Sequence, residues 1–127
     1  MPRSKIFDTV SAVSGLDHGP IAAAPLTPEQ AEAVATLLHA LGDRTRVLIV
    51  SALLHAPAGE LHGRELQEQL SLRQPTASHH LHKLVRAGIL CREQRGPYAY
   101  FRVTADAFER LRAIFGEGVG AHAAPTP

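Results

Sequence analysis

The stretch "QPTASHHLHKLVRAG", residues 74–88, constrains this chain more than any other, because only a helix gives it two coherent faces. At 3.6 residues per turn, Ala77, Leu81, Leu84 and Gly88 fall within one narrow arc, with Val85 beside them. Pro75, Thr76, His79, Lys83 and Arg86 gather on the opposite arc, flanked by Gln74 and Ser78. A helix divided this way buries one side and offers the other. The offered side carries short hydrogen-bonding groups first and cations after them. His79, His80 and His82 are chemically conspicuous, but they lack the i, i+4 spacing that brings two imidazoles onto one helix face. They fit groove-facing or structural polar roles better than a metal cluster.

The flanking segments supply something to bury against. In "LTPEQAEAVATLLHALGD", Thr27 is placed to cap a helix, Pro28 suits its first turn, Gln30 completes a capping box, and Gly42 stops it. Asp43 then caps "RTRVLIVSALLHA", which ends at Pro57 and Gly59. A short helix, "GRELQEQL", and the turn "SLR" lead into residues 74–88. From Ile89 the pattern becomes extended, turns at Gly96-Pro97 and resumes at Tyr98, which predicts a β-hairpin. A last helix spans "ADAFERLRAIFG". The expected class is mainly α with a β-hairpin wing: an arm over 1–26, a winged helix-turn-helix over 27–116 and a tail over 117–127.

Charge is distributed unevenly. Residues 1–60 hold four Lys/Arg against six Asp/Glu, whereas residues 70–103 hold six Lys/Arg against Glu93 alone. A basic block in a chain of net charge +1 suggests a polyanionic partner. The outer face of 74–88 has the chemistry to bond base edges in a major groove, and arginines on the hairpin can reach phosphates. The expected contacts are Gln74, Thr76, Ser78, His79 and Lys83 at the groove, with Arg92 and Arg95 on the wing.

Other classes are disfavoured. The chain of 127 residues has one cysteine, Cys91, so an internal disulfide is excluded and a reducing cytosol is the natural setting. No apolar run approaches the roughly 20 residues of a membrane span, and the N-terminus lacks a secretory core. A cytoplasmic protein without a membrane partner is expected. There is no Gly-rich phosphate loop, no HExxH and no nucleophile elbow, so an enzyme is not expected.

Three segments, "LHALGDRTRVLIVSALL", "QPTASHHLHKLVRAGIL" and "REQRGPYAYFRV", together resemble the ArsR/SmtB family of metal-responsive winged-helix repressors. The likeness runs from about Leu37 to Val103. It implies a homodimer built on the first and last helices, binding to double-stranded operator DNA, and release by a ligand.

Metal sites of the family carry over only in part. Where its Cys-x-Cys motif would stand, this chain has His62 and Arg64; where its N-terminal arm supplies a cysteine pair, this chain has Asp17 and His18. Asp106 lies on the last helix without a helix-spaced pair of histidines after it. A thiolate pocket within one protomer is thereby excluded. Asp17, His18 and His62 form a nitrogen and oxygen donor set suited to Ni(II) or Zn(II), joining the arm to the helix near His62. The alternatives are the same DNA-binding fold controlled by an accessory protein or by Cys91 oxidation and, from a different class, a small metal-dependent hydrolase or a protein-docking module.

Overall fold

A computed structural model describes residues 24–123 of the chain. The elements run α1 (Pro28–Leu41), α2 (Arg44–His55), β1 (Leu61–His62), α3 (Gly63–Leu70), α4 (Gln74–Arg86), β2 (Leu90–Arg95), β3 (Tyr98–Val103) and α5 (Ala105–Ala123). The proposed arm therefore lies almost wholly outside the described residues, as do Asp17 and His18.

Helix boundaries follow the capping chemistry. At α1 the Gln30 amide donates to Thr27 Oγ1 at 3.1 Å, and the Thr27 amide donates to Gln30 Oε1 at 2.9 Å. Asp43 Oδ2 accepts the amides of Thr45 and Arg46, satisfying two otherwise orphaned donors of α2. At the far end of α4, Gly88 adopts φ 79°. The Ile89 amide donates to the Leu84 carbonyl and the Gly88 amide to the Val85 carbonyl, a Schellman closure that turns the chain into β2. The last helix continues past Gly116, where the sequence suggested a stop, to Ala123; no proline interrupts this stretch.

The core lies where α2, α3 and α4 meet the sheet. Ile49, Leu53, Leu66, Leu84, Ile89, Leu90 and Ile114 have no exposed surface. Burying a side chain of this kind contributes about 1.5–3 kcal/mol each before conformational entropy is counted. Ala77 and Leu81 join them, so the stripe read from residues 74–88 is the stripe that packs.

The hairpin gains a third strand. β1 pairs antiparallel with β3 through Leu61↔Phe101 and His62↔Tyr100, giving the order β1-β3-β2. Two residues are too few to show alternation in sequence. The β2–β3 register runs from Leu90↔Val103 to Arg95↔Tyr98, leaving Gly96 (φ 60°) and Pro97 as a two-residue turn. Glycine at the first central position and proline at the second suit the type II′ geometry of a tight hairpin. Thr104 joins wing to α5: its hydroxyl donates to the Gly88 carbonyl and accepts the Ala107 amide.

Candidate nucleic-acid interface

The second helix of the pair, α4, is held from behind and open in front. Behind, Ala77, Leu81 and Leu84 are buried; in front, Gln74, Thr76, Ser78, His79 and Lys83 are all exposed. Gln74 and Ser78 face the groove toward the wing, and His79 and Lys83 face the one toward α1. Arg73, at the N-cap, gives no side-chain hydrogen bond, so the first-turn amides of α4 are left to water or to an anion.

His80 separates from its neighbours. Arg46, only 8% exposed, donates from one terminal nitrogen to His80 Nδ1 at 3.0 Å and from Nε to the Ala40 carbonyl. A guanidinium can only donate, so Nδ1 accepts and the neutral ring carries its proton on Nε2. Burial pushes the His80 pKa below its usual value; Asp43, with Oδ2 3.8 Å away, partly opposes this, and Arg46 reinforces it. The Arg46 amide holds the Asp43 carboxyl below its own ordinary value. One polar knot therefore fastens α4 to the cap of α2 and the end of α1. Asp43 was legible in the sequence as a cap. Arg46 was not, because nothing local marks an arginine as buried.

On the wing the two arginines differ. Arg92 is exposed and donates to Gln94 Oε1 at 2.8 Å, while Gln94 Nε2 donates to the Gly96 carbonyl at the turn. Arg95 grips Glu60 with two hydrogen bonds of 2.6 and 2.8 Å, also bonds Glu93 and lies over the Tyr100 ring at 4.3 Å. Glu60 and then Glu93 raise its pKa well beyond the usual arginine range. A phosphate at Arg95 would compete with two carboxylates, whereas Arg92 has only the neutral Gln94 as its partner here. Between α4 and the wing runs a groove of about 310 Å³ whose lining includes Gln74, Ser78, His82 and Arg92.

His62 also has local duties. Its Nδ1 accepts the Glu65 amide at 3.4 Å while its own amide donates to Glu65 Oε1, a capping box with imidazole in place of a hydroxyl. The ring stacks on Tyr98 at 4.6 Å and meets Tyr100 edge-on. Among the described residues no three His, Cys, Asp or Glu side chains are placed to hold an ion. Asp106 Oδ2 is buried without a hydrogen-bond partner, and so are the side-chain nitrogens of Arg110 one turn later. Cys91 is 3% exposed, the setting of a small apolar filler rather than a reactive thiolate.

Known proteins share this arrangement. The family model for bacterial regulatory proteins of the arsR family matches residues 43–91, which contain both helices of the helix-turn-helix. An uncharacterized HTH-type transcriptional regulator, MJ1325 of Methanocaldococcus jannaschii, is 30% identical over 89 residues, covering 70% of this chain and 98% of that one. The chain belongs to the ArsR family. It is a DNA-binding transcription regulator of winged helix-turn-helix fold. Among solved structures, the transcriptional repressor BigR from Xylella fastidiosa superposes with a TM-score of 0.56 at 26% identity, over 77% of this chain and 93% of that one. The winged helix-turn-helix domain of Mb0332 from Mycobacterium bovis, described as homodimeric, gives 0.58 at 22% identity over 81% and 94%. No helix among the described residues is long and apolar enough to cross a membrane.

The knot at His80 makes this ArsR-family fold sensitive to acid. Its pKa is lower folded than unfolded, so the unfolded chain binds more protons as pH drops below about 6.5. The associated stability is present above that value and is lost as pH falls through the folded pKa. Denaturant unfolding at pH 7 and pH 5 should show a smaller loss for His80→Gln, which keeps an acceptor but cannot titrate, than for the native chain. An equal loss in both would remove His80 from the account.

Proposed function

We propose that this ArsR-family regulator binds operator DNA as a homodimer, each α4 lying in a major groove. Gln74, Thr76, Ser78 and His79 meet base edges, Lys83 meets the backbone, and Arg92 meets phosphate beside the wing. The observation that carries the assignment is the joint exposure of five polar residues on a helix whose opposite face is buried. Arg95 positions the wing through Glu60 and Glu93 rather than serving chiefly as a phosphate ligand. Dimerisation through the first and last helices is supported by Leu38 on α1 and Phe108 on α5, each more than 40% exposed. The homodimeric state of the Mb0332 domain is in keeping with this. Val47, Leu48 and Leu54 on α2 are also exposed.

Mutants separate reading from holding. Thr76→Ala or His79→Ala should narrow the affinity ratio between a selected operator and random DNA by about tenfold, the worth of one good base contact. Arg92→Ala should weaken both duplexes alike and lower the salt dependence by roughly one counterion. Fluorescence anisotropy measures each quantity, and equal losses on both duplexes for every mutant would contradict the assignment.

We also propose a divalent metal, Ni(II) or Zn(II), as the effector. Support comes from the donor types at Asp17, His18 and His62, of which His62 alone lies among the described residues. Its Nδ1 serves the helix cap and its Nε2 stands 3.6 Å from Glu65 Oε1, so this end of the site offers one nitrogen with a carboxylate beside it. Such donors suit borderline divalent ions, which would tie the arm to α3 when bound. Calorimetric titration of chelator-treated protein should give about one ion per protomer, lost in His62→Asn, a change that retains a good N-cap. Unchanged binding by the variant, or none by the native protein, would refute the metal reading and leave DNA binding standing.

A further inference from the structure

The groove between α4 and the wing, about 310 Å³ in volume, has a floor and a rim of different chemistry. On the wing side, the strand register sets Arg92 opposite Phe101, two residues from Ala99, so these three side chains share one sheet face. On the helix side, Ala77, Leu81 and Val85 form a row at four-residue spacing along α4. Leu81 and Phe101 belong to the apolar core, and Val85 and Ala99 pack against it half-buried. The floor is therefore apolar and rigid. The rim holds Gln67 from α3, Gln74 and Ser78 from α4, and Arg92 from β2. Arg92 is the one Lys or Arg among the lining residues, and no Asp or Glu joins it. Its guanidinium is exposed and bonds only the neutral Gln94 among the described residues, whereas Arg95 is committed to two carboxylates.

We infer that this groove binds a small apolar monocarboxylate, and that the bound acid takes Arg92 away from DNA. An apolar body of one ring or a short chain covers Leu81, Val85 and Phe101. Its carboxylate receives the planar fork of Arg92, with neutral donors on Gln67, Gln74 and Ser78 around it. The volume lies at the small end of ligand sites, which run to roughly 300–1,000 Å³. A bare phosphate has no apolar body to set against that floor, and a divalent cation would meet a guanidinium and no carboxylate. His62, the described end of the proposed metal site, is not among the lining residues, so the two effectors are tested apart.

The consequence for DNA rests on the DNA-contact reading, because Gln74, Ser78 and Arg92 belong to both the groove and that reading. One guanidinium fork cannot face a ligand carboxylate and a DNA phosphate at once. Gln94 bonds Arg92 and also the Gly96 carbonyl, so the exchange at Arg92 is linked to the hairpin turn.

The test uses the full chain without DNA, with phenylacetate and hexanoate as probes and phenylacetamide as the uncharged counterpart. Backbone amide NMR should place the largest shifts on Leu81, Val85, Arg92, Ala99 and Phe101, with a dissociation constant of about 0.1–1 mM for at least one acid. Phenylacetamide should bind about tenfold more weakly, and Arg92→Gln should bring phenylacetate down to the same level. Ala99→Leu, which fills the floor from a position without a DNA role, should abolish acid binding and keep operator affinity within about twofold; should that variant unfold, the native shifts and Arg92→Gln decide. At ten times its dissociation constant the acid should weaken operator binding at least about tenfold in fluorescence anisotropy. No acid binding below about 10 mM, shifts centred outside the groove, or equal binding of acid and amide would overturn the site. Acid bound in the groove with operator affinity unchanged would overturn the exchange at Arg92. Failure of the ligand-free chain to bind its operator would overturn the DNA-contact reading and leave the carboxylate site standing.

Discussion

Arg46 is a charged side chain with 8% of its surface exposed, and the position of the recognition helix depends on it. A buried guanidinium is costly unless its donors are used. Here they reach the Ala40 carbonyl at the end of α1 and His80 in the middle of α4, while the Arg46 amide is held by Asp43. Three helices are thereby tied at one point beside the apolar core. Apolar packing supplies more of the stability, but Ala77, Leu81 and Leu84 alone would tolerate small rotations of α4. A directional bond to His80 restricts that rotation, and rotation decides which side chains face outward.

The wing is fixed by a second, independent device. Glu60 precedes β1, Glu93 lies on β2, and Arg95 joins them near the hairpin tip. The His62 ring stacks against Tyr98, and Tyr100 supports the Arg95 guanidinium. Because these contacts cross from β1 to the hairpin, the wing is continuous with the start of α3 rather than a free flap. This region thus couples the start of α3 to the element that flanks the DNA-reading helix. A ligand engaging His62 would act at that junction, and its effect could reach the wing through Tyr98 without moving α4 itself.

Much of the architecture was legible in the sequence because it rests on local rules. Thr27 with Gln30, Asp43 and the Gly96-Pro97 turn announce where elements begin and end, and the periodicity of residues 74–88 gives its buried and exposed faces, except that Gly88 turns the chain out of the helix instead of continuing its stripe. The features missed share a different character. β1 is only two residues and exists because β3 offers a partner. Arg46 and His80 are 34 positions apart, and Arg95 and Glu60 are 35, so neither pairing leaves a periodic trace. That His39 lines one groove with His79 and His82 depends on how α1 crosses α4, which no local pattern reports. Sequence thus revealed the exposed face of α4 and hid the contacts that aim it.

These elements describe an ArsR-family reader whose outer helix face is free because its inner face is doubly secured, by packing and by the Arg46–His80 bond. Backbone amide NMR during titration with a duplex selected from a random pool tests this most directly. The account predicts that the largest shifts fall on Gln74–Lys83 and around Arg92, with little change at Val47 and Leu54 on the outer side of α2. Shifts centred on α2, with Gln74–Lys83 unmoved, would contradict it.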